Sequence, residues 1–216
     1  MSDLISRPRI DKSRIDKNFW NFGPVLVAEK WLQDYLMEPG QFDKLCLHEG
    51  AHLYYARQLY AGAKIFAPYV SYNRSERCYE PTEGGVDTSE IDRKCDANRL
   101  LLFVKGVCAG GTAEFVCQFL DSGKSFNEIC DDVGDSNDIK DFPRYCKEIR
   151  EASPGLQFDD TKVWRKAQEA VITDILIPET KAQIDAIIEE VRSFLLLEMY
   201  PETLATASLN GDSSNS

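Results

Sequence analysis

The two histidines of this chain both fall within one five-residue stretch, His48-Glu49-Gly50-Ala51-His52. On a helix running from Leu45 to Leu59, the four-residue spacing puts both imidazoles on one face, one turn apart. Two ring nitrogens then converge on a single tetrahedral ion, and the Glu49 carboxylate stands beside it to act on water, the arrangement of the His-Glu-x-x-His zinc hydrolases. The plainer alternative is two histidines on a polar stripe with Glu49 as a solvated carboxylate. Leu45, Leu47, Leu53, Ala56 and Leu59 argue against it, because they supply enough apolar positions for a packed helix. Gly50 costs a helix interior about 1 kcal/mol relative to alanine. Its presence points to a close approach by backbone or substrate.

The elements that must position this motif read as mainly helical. An amphipathic helix is expected from about Pro24 to the break at Pro39-Gly40, and the motif helix follows. Ile65 to Val70 is rich in strand formers, with Pro68 implying an edge strand or a bulge, and Asn73 to Gly85 reads as a polar loop or loose hairpin. Asp87-Thr88-Ser89-Glu90 looks like the cap of a long helix through Leu100, Val104, Ala113 and Phe119, whose Ala109-Gly110-Gly111-Thr112-Ala113 patch admits close packing. Ser125 and Glu128 suggest a short helix to about Gly134, and another begins near Ser136 with Pro143 early in it. Two more helices are expected, Thr161 to about Ile177 and Pro178 to about Met199. The fold class expected is a helical zincin-type peptidase domain with a small β element after the motif helix. A single domain over residues 1–200 and a disordered tail over 201–216 complete this reading.

Composition narrows the partners. The chain has 216 residues, 43% of them hydrophobic, and a net charge of −11 with no basic patch, so nucleic acid and anionic membrane surfaces are not expected. The charged start resembles no signal peptide, and no stretch reads as the ~20 apolar residues of a membrane span. Seven cysteines without a Cys-x-x-Cys pair suit small buried side chains in a reducing compartment. A soluble, cytoplasmic protein is the expectation.

A catalytic zinc needs a third protein ligand, and no third histidine exists. The His-x-x-Gly-x-x-His extension of metzincins is missing, with Tyr55 at the glycine position. The third ligand must therefore be a carboxylate. Glu76, Glu80 and Glu83 stand at roughly the right separation but in a stretch that reads as loop. Cys46, two residues before His48, points away from the histidine face.

Three segments in order resemble the protease domain of the FtsH-type ATP-dependent zinc peptidases: HEGAHLYYARQLY, LLFVKGVCAGGTAEFV and GDSNDIKDFPRYCKEI. The middle segment is similar to that family's Ala/Gly-rich helix ending in Ala-Glu, here Ala113-Glu114, and the third to its Ser-Asn-Asp-Leu/Ile helix start. The resemblance covers roughly Asp43 to Glu151. It implies His48, His52 and Asp138 as zinc ligands, Glu49 as general base and Glu114 as a carboxylate beside the site. Read locally, Asp138 could instead cap the helix that opens at Ser136-Asn137, and Glu114 could be an ordinary surface residue. The family's His-Glu-Ala-Gly-His order appears here as His-Glu-Gly-Ala-His, and no Gly-x-x-x-x-Gly-Lys-Ser/Thr nucleotide loop is present.

The implied activity is a zinc-dependent endopeptidase without its own ATPase, acting on unfolded or extended polypeptides. A substrate strand pairing along Ile65 to Val70 would give affinity with little sequence selectivity. The alternative is a non-catalytic FtsH-like binding or regulatory module that keeps the fold, with or without the metal. A separate ATPase or a membrane FtsH-type partner, and a homo-oligomer, both stay open.

Overall fold

A glycine in the left-handed region starts the motif helix: Gly40 has φ +83° and turns the chain into α1, Gln41–Leu59. This computed structural model describes residues 40–67, 69–73, 78–82, 85–119 and 137–199. The expected helix from Pro24, the short helix between Ser125 and Gly134, the 201–216 tail, Pro68, Glu76 and Glu83 lie outside them. The described chain is mainly helical, as its sequence suggests. After α1 come β1 (Ile65–Phe66), β2 (Tyr69–Asn73), β3 (Cys78–Thr82) and β4 (Gly85–Val86), then α2 (Ala97–Phe119) and a 3-10 turn at Asn137–Lys140. Helices α3 (Phe142–Ala152), α4 (Asp160–Leu176) and α5 (Pro178–Met199) complete it.

The described residues gather into two units. Lys44–Ile65 and Val86–Glu190 form the one that holds the motif. Its core is α2 lying along α4, with Leu100, Phe103, Val104, Cys108 and Val116 buried on α2 and Trp164, Ala167, Val171, Ile172 and Ile175 buried on α4. These positions recur every three or four residues, which places them on one face of each helix. Asp159 caps α4 by accepting from the Lys162 N–H at 3.0 Å. On α5, Ile184 and Ile188 are buried in register with the expected apolar stripe. Gly50 of α1 meets that helix: a Cβ there would stand 2.6 Å from Ile188 Cγ1 and 3.0 Å from Ile188 Cα. The glycine in the motif therefore serves a close helix approach, one of the two roles its sequence position suggested.

Strands β2 and β3 belong to the other unit and pair antiparallel, Tyr69 opposite Thr82 and Asn73 opposite Cys78. The expected strand from Ile65 to Val70 is divided between β1, which pairs with β4, and β2. Within the stretch from Asn73 to Gly85, the described residues Cys78–Thr82 form a strand paired with β2.

One expectation needs correction. The long helix begins ten residues later than Asp87 suggested, at Ala97, with Asp96 accepting from the Arg99 N–H at 2.8 Å. Asp87 turns the chain locally instead, accepting from Ser89 N–H at 2.9 Å. Burial of Ile91 and a bond from Cys95 N–H to Ser153 Oγ at 2.8 Å then hold the intervening segment against the core, and this tertiary anchoring delays the helix. By length and composition alone Ala97–Cys117 could cross a membrane, and 56% of its most apolar window is buried inside the protein.

Candidate metal centre

Helix α1 presents His48 and His52 one turn apart, as the spacing requires, with ring centroids 4.6 Å apart. Each Nδ1 is committed elsewhere. His48 Nδ1 lies 2.7 Å from Glu114 Oε1, and His52 Nδ1 lies 2.7 Å from the Gly106 carbonyl oxygen. Both partners only accept, so both Nδ1 atoms carry the proton, and in the neutral rings both Nε2 lone pairs are bare. Those two Nε2 atoms face each other at 3.0 Å. Asp138 Oδ1 closes the triangle at 3.5 Å from His48 Nε2 and 3.4 Å from His52 Nε2.

Three potential electron-pair donors converge on one point, where a metal ion displacing the imidazole protons would satisfy them together. Bonds of about 2.0–2.2 Å to a tetrahedral zinc put neighbouring ligand atoms about 3.3–3.6 Å apart. The observed triangle, with edges of 3.0, 3.4 and 3.5 Å, comes close to those separations. Among the described residues, His48, His52 and Asp138 are the group whose ligand atoms lie close enough to hold an ion.

Asp138 reaches this point from the 3-10 turn, held by the Gly111 N–H, which donates to Oδ2 at 3.0 Å. Its carboxylate faces α2 and the imidazoles, and the N-cap position of the next helix falls to Asp141. Of the two readings of this aspartate, the geometry favours the one that puts it beside the histidines. Gly110 leaves the room for this arrangement, because a Cβ there would sit 2.4 Å from His52 Nε2. The small-residue patch thus admits two imidazoles, where the sequence suggested only a backbone.

The charges agree with a cation site. Burial alone would depress His48, but hydrogen bonds to Asp138 and Glu114 outweigh it and hold its pKa up at about 10. His52 is likewise depressed by burial and raised overall, chiefly by the charge of Asp138. Burial pushes Asp138 up, and the two histidines pull it well below the ordinary carboxylate range. Glu114 follows the same pattern, held low against burial by His48 and by Lys44, whose Nζ lies 3.0 Å from Oε2. Glu49 is buried at 4% exposure, and its charge is among those raising both histidines.

Among the other candidates, Glu80 lies on β3, and Cys46 is fully buried and is not one of the three grouped ligands. Sequence reading also missed three participants: the Gly106 carbonyl, the Gly111 N–H and Lys44. Backbone groups leave no residue-type signature, although the Gly106-x-x-x-Gly110 spacing marks a helix face open to close approach. Compared with protein-family models, with curated proteins and with solved structures, the chain gives no match in any of the three.

Proposed function

We propose that this chain is a zinc-dependent metallopeptidase of FtsH-like type, in which His48, His52 and Asp138 hold the ion and Glu49 is the general base. The observation that supports it most is the triangle of two Nε2 atoms and Asp138 Oδ1, with the buried Glu49 carboxylate near enough for its charge to act on both histidines. Zinc, when bound, supplies a Lewis acid that polarises the scissile carbonyl and makes water acidic enough to lose a proton near neutral pH.

The chain's own residues supply the rest. Glu49 takes the proton from the attacking water and returns it to the departing amine. Glu114 and the Gly106 carbonyl fix the tautomer and tilt of the two imidazoles, and the Gly111 N–H fixes Asp138. A non-catalytic module that kept the ion would gain nothing from Glu49, because burying a carboxylate is costly. The resemblance to FtsH-type proteases suggests an extended or unfolded polypeptide as substrate.

The test is metal content together with cleavage. Protein purified without chelator should carry close to one zinc per chain and cleave casein, lose both on chelation and regain both on adding zinc. Metal-independent cleavage would reject the zinc mechanism, and a full zinc complement with no cleavage would reject the peptidase reading.

A further inference from the structure

Asp174 supplies nothing to the triangle, yet it ties together the two helices that build it. From α4, its Oδ2 accepts a hydrogen bond from the Tyr55 hydroxyl at 2.9 Å and pairs with the Lys105 ammonium. The same ammonium lies 4.8 Å from the centre of the Tyr55 ring. Tyr55 is fully buried on α1, one turn beyond His52, and Lys105 and Asp174 are largely buried, at 15% and 25% exposure. Lys105 immediately precedes Gly106, whose carbonyl receives the His52 Nδ1 proton. The two helices meet at this level, since a Cβ on Gly106 would lie 3.6 Å from Tyr55 Cβ.

We infer that Asp174 is a positioning residue for the metal centre: it clamps Tyr55 of α1 to Lys105 of α2 and so fixes the Gly106 carbonyl against His52. The inference rests on the metal reading above. Three polar groups in one poorly solvated place hold a definite geometry because each would be costly to leave unpaired. A shift of α2 against α1 at this level moves the carbonyl that orients His52, and partners of that kind commonly control metal affinity by 10–100-fold. Arg57 and Glu190 give a contrasting case. They join α1 to α5 through two bonds of 2.6 Å but touch neither Gly106 nor a histidine.

The experiment titrates zinc into chelator-stripped protein against a competing dye, and records the visible spectrum of the cobalt(II) form, for the full chain and three variants. Measurements are made at low temperature, where circular dichroism shows each variant folded. Asp174→Asn should weaken zinc binding about tenfold and shift the cobalt bands, Tyr55→Phe should do the same to a smaller degree, and Glu190→Gln should match the wild type. Should Asp174→Asn not fold, the gentler Tyr55→Phe decides. The inference is overturned if the folded Asp174 and Tyr55 variants bind zinc and cobalt like the wild type, or if Glu190→Gln loses as much. A wild-type chain that takes up neither metal would instead bring down the metal reading, and this inference with it.

Discussion

Gly110 lies against the imidazole of His52, so close that a methyl group there would stand 2.4 Å from its Nε2 and 2.6 Å from Nε2 of His48. Those atoms are the proposed ligands. Gly110→Ala should therefore push the imidazoles apart and lower zinc affinity by at least about tenfold, with helix content unchanged. Gly106→Ala makes only ordinary contacts, 3.6 Å to Tyr55 Cβ, and should keep the metal. Zinc content of the two purified variants checks both expectations, and equal retention would show that Gly110 does not shape the site.

Glu49→Gln separates chemistry from binding. The amide keeps the size of the buried side chain but cannot take a proton. Casein cleavage should fall by about 10²–10⁴-fold while zinc stays near one per chain. A variant that cleaves at the wild-type rate would remove Glu49 from the mechanism.

Asp138→Asn asks whether the carboxylate is a ligand or a local cap. Asparagine caps as well as aspartate, so a cap would leave zinc affinity alone and stability within about 1 kcal/mol. A ligand loses its anionic oxygen. Zinc at a hundred times the wild-type dissociation constant stabilises the wild type by about 2.7 kcal/mol, and most of the resulting rise in melting temperature should vanish in the variant.

Stability against pH should differ in sign between the metal-free and zinc-loaded forms. In the metal-free chain, His48 is held up at about 10 and His52 is also raised, against an ordinary value of 6.5. Their contribution is complete below pH 6.5 and is lost as pH climbs toward about 10. Asp138 is depressed from 3.8, so its contribution is present above that value and is lost in stronger acid. The metal-free protein should thus be favoured between these limits. Zinc needs unprotonated Nε2 atoms and competes with the same protons, so the melting-temperature gap between loaded and stripped protein should widen from about pH 6 to about pH 8. A gap that narrows would contradict the assignment of these histidines as ligands.

Gly50→Ala tests the fold rather than the site. Its methyl group would meet Ile188 Cα at 3.0 Å as well as the Ile188 side chain, and backbone yields less readily than a side-chain end. Thermal melting should report a loss of about 1–3 kcal/mol. Zinc affinity of the folded protein should change little.

The histidine pair was legible in the sequence because its geometry is local. A four-residue interval on any α-helix puts two side chains on one face, whatever surrounds it. The apolar stripe that Ile184 and Ile188 bury, and the edges of α4 and α5 at Asp160, Leu176 and Pro178, were legible for the same reason. Asp138 was not. Its residue type and local context suit a cap as well as a ligand, and it lies far along the chain from His48. Only the packing of α2 on α1, with Gly111 N–H reaching across to the 3-10 turn, decided where its carboxylate goes. The start of α2 was misplaced because Asp87 and Asp96 offer the same capping chemistry, and only the anchoring of Ile91 and Cys95 against the core chose between them. In the sequence, Tyr55 stands out only as the residue at the metzincin glycine position. Its meeting with Lys105 and Asp174 depends on three helices brought together by the fold, and helix periodicity carries no information about which partners lie across a packed interface.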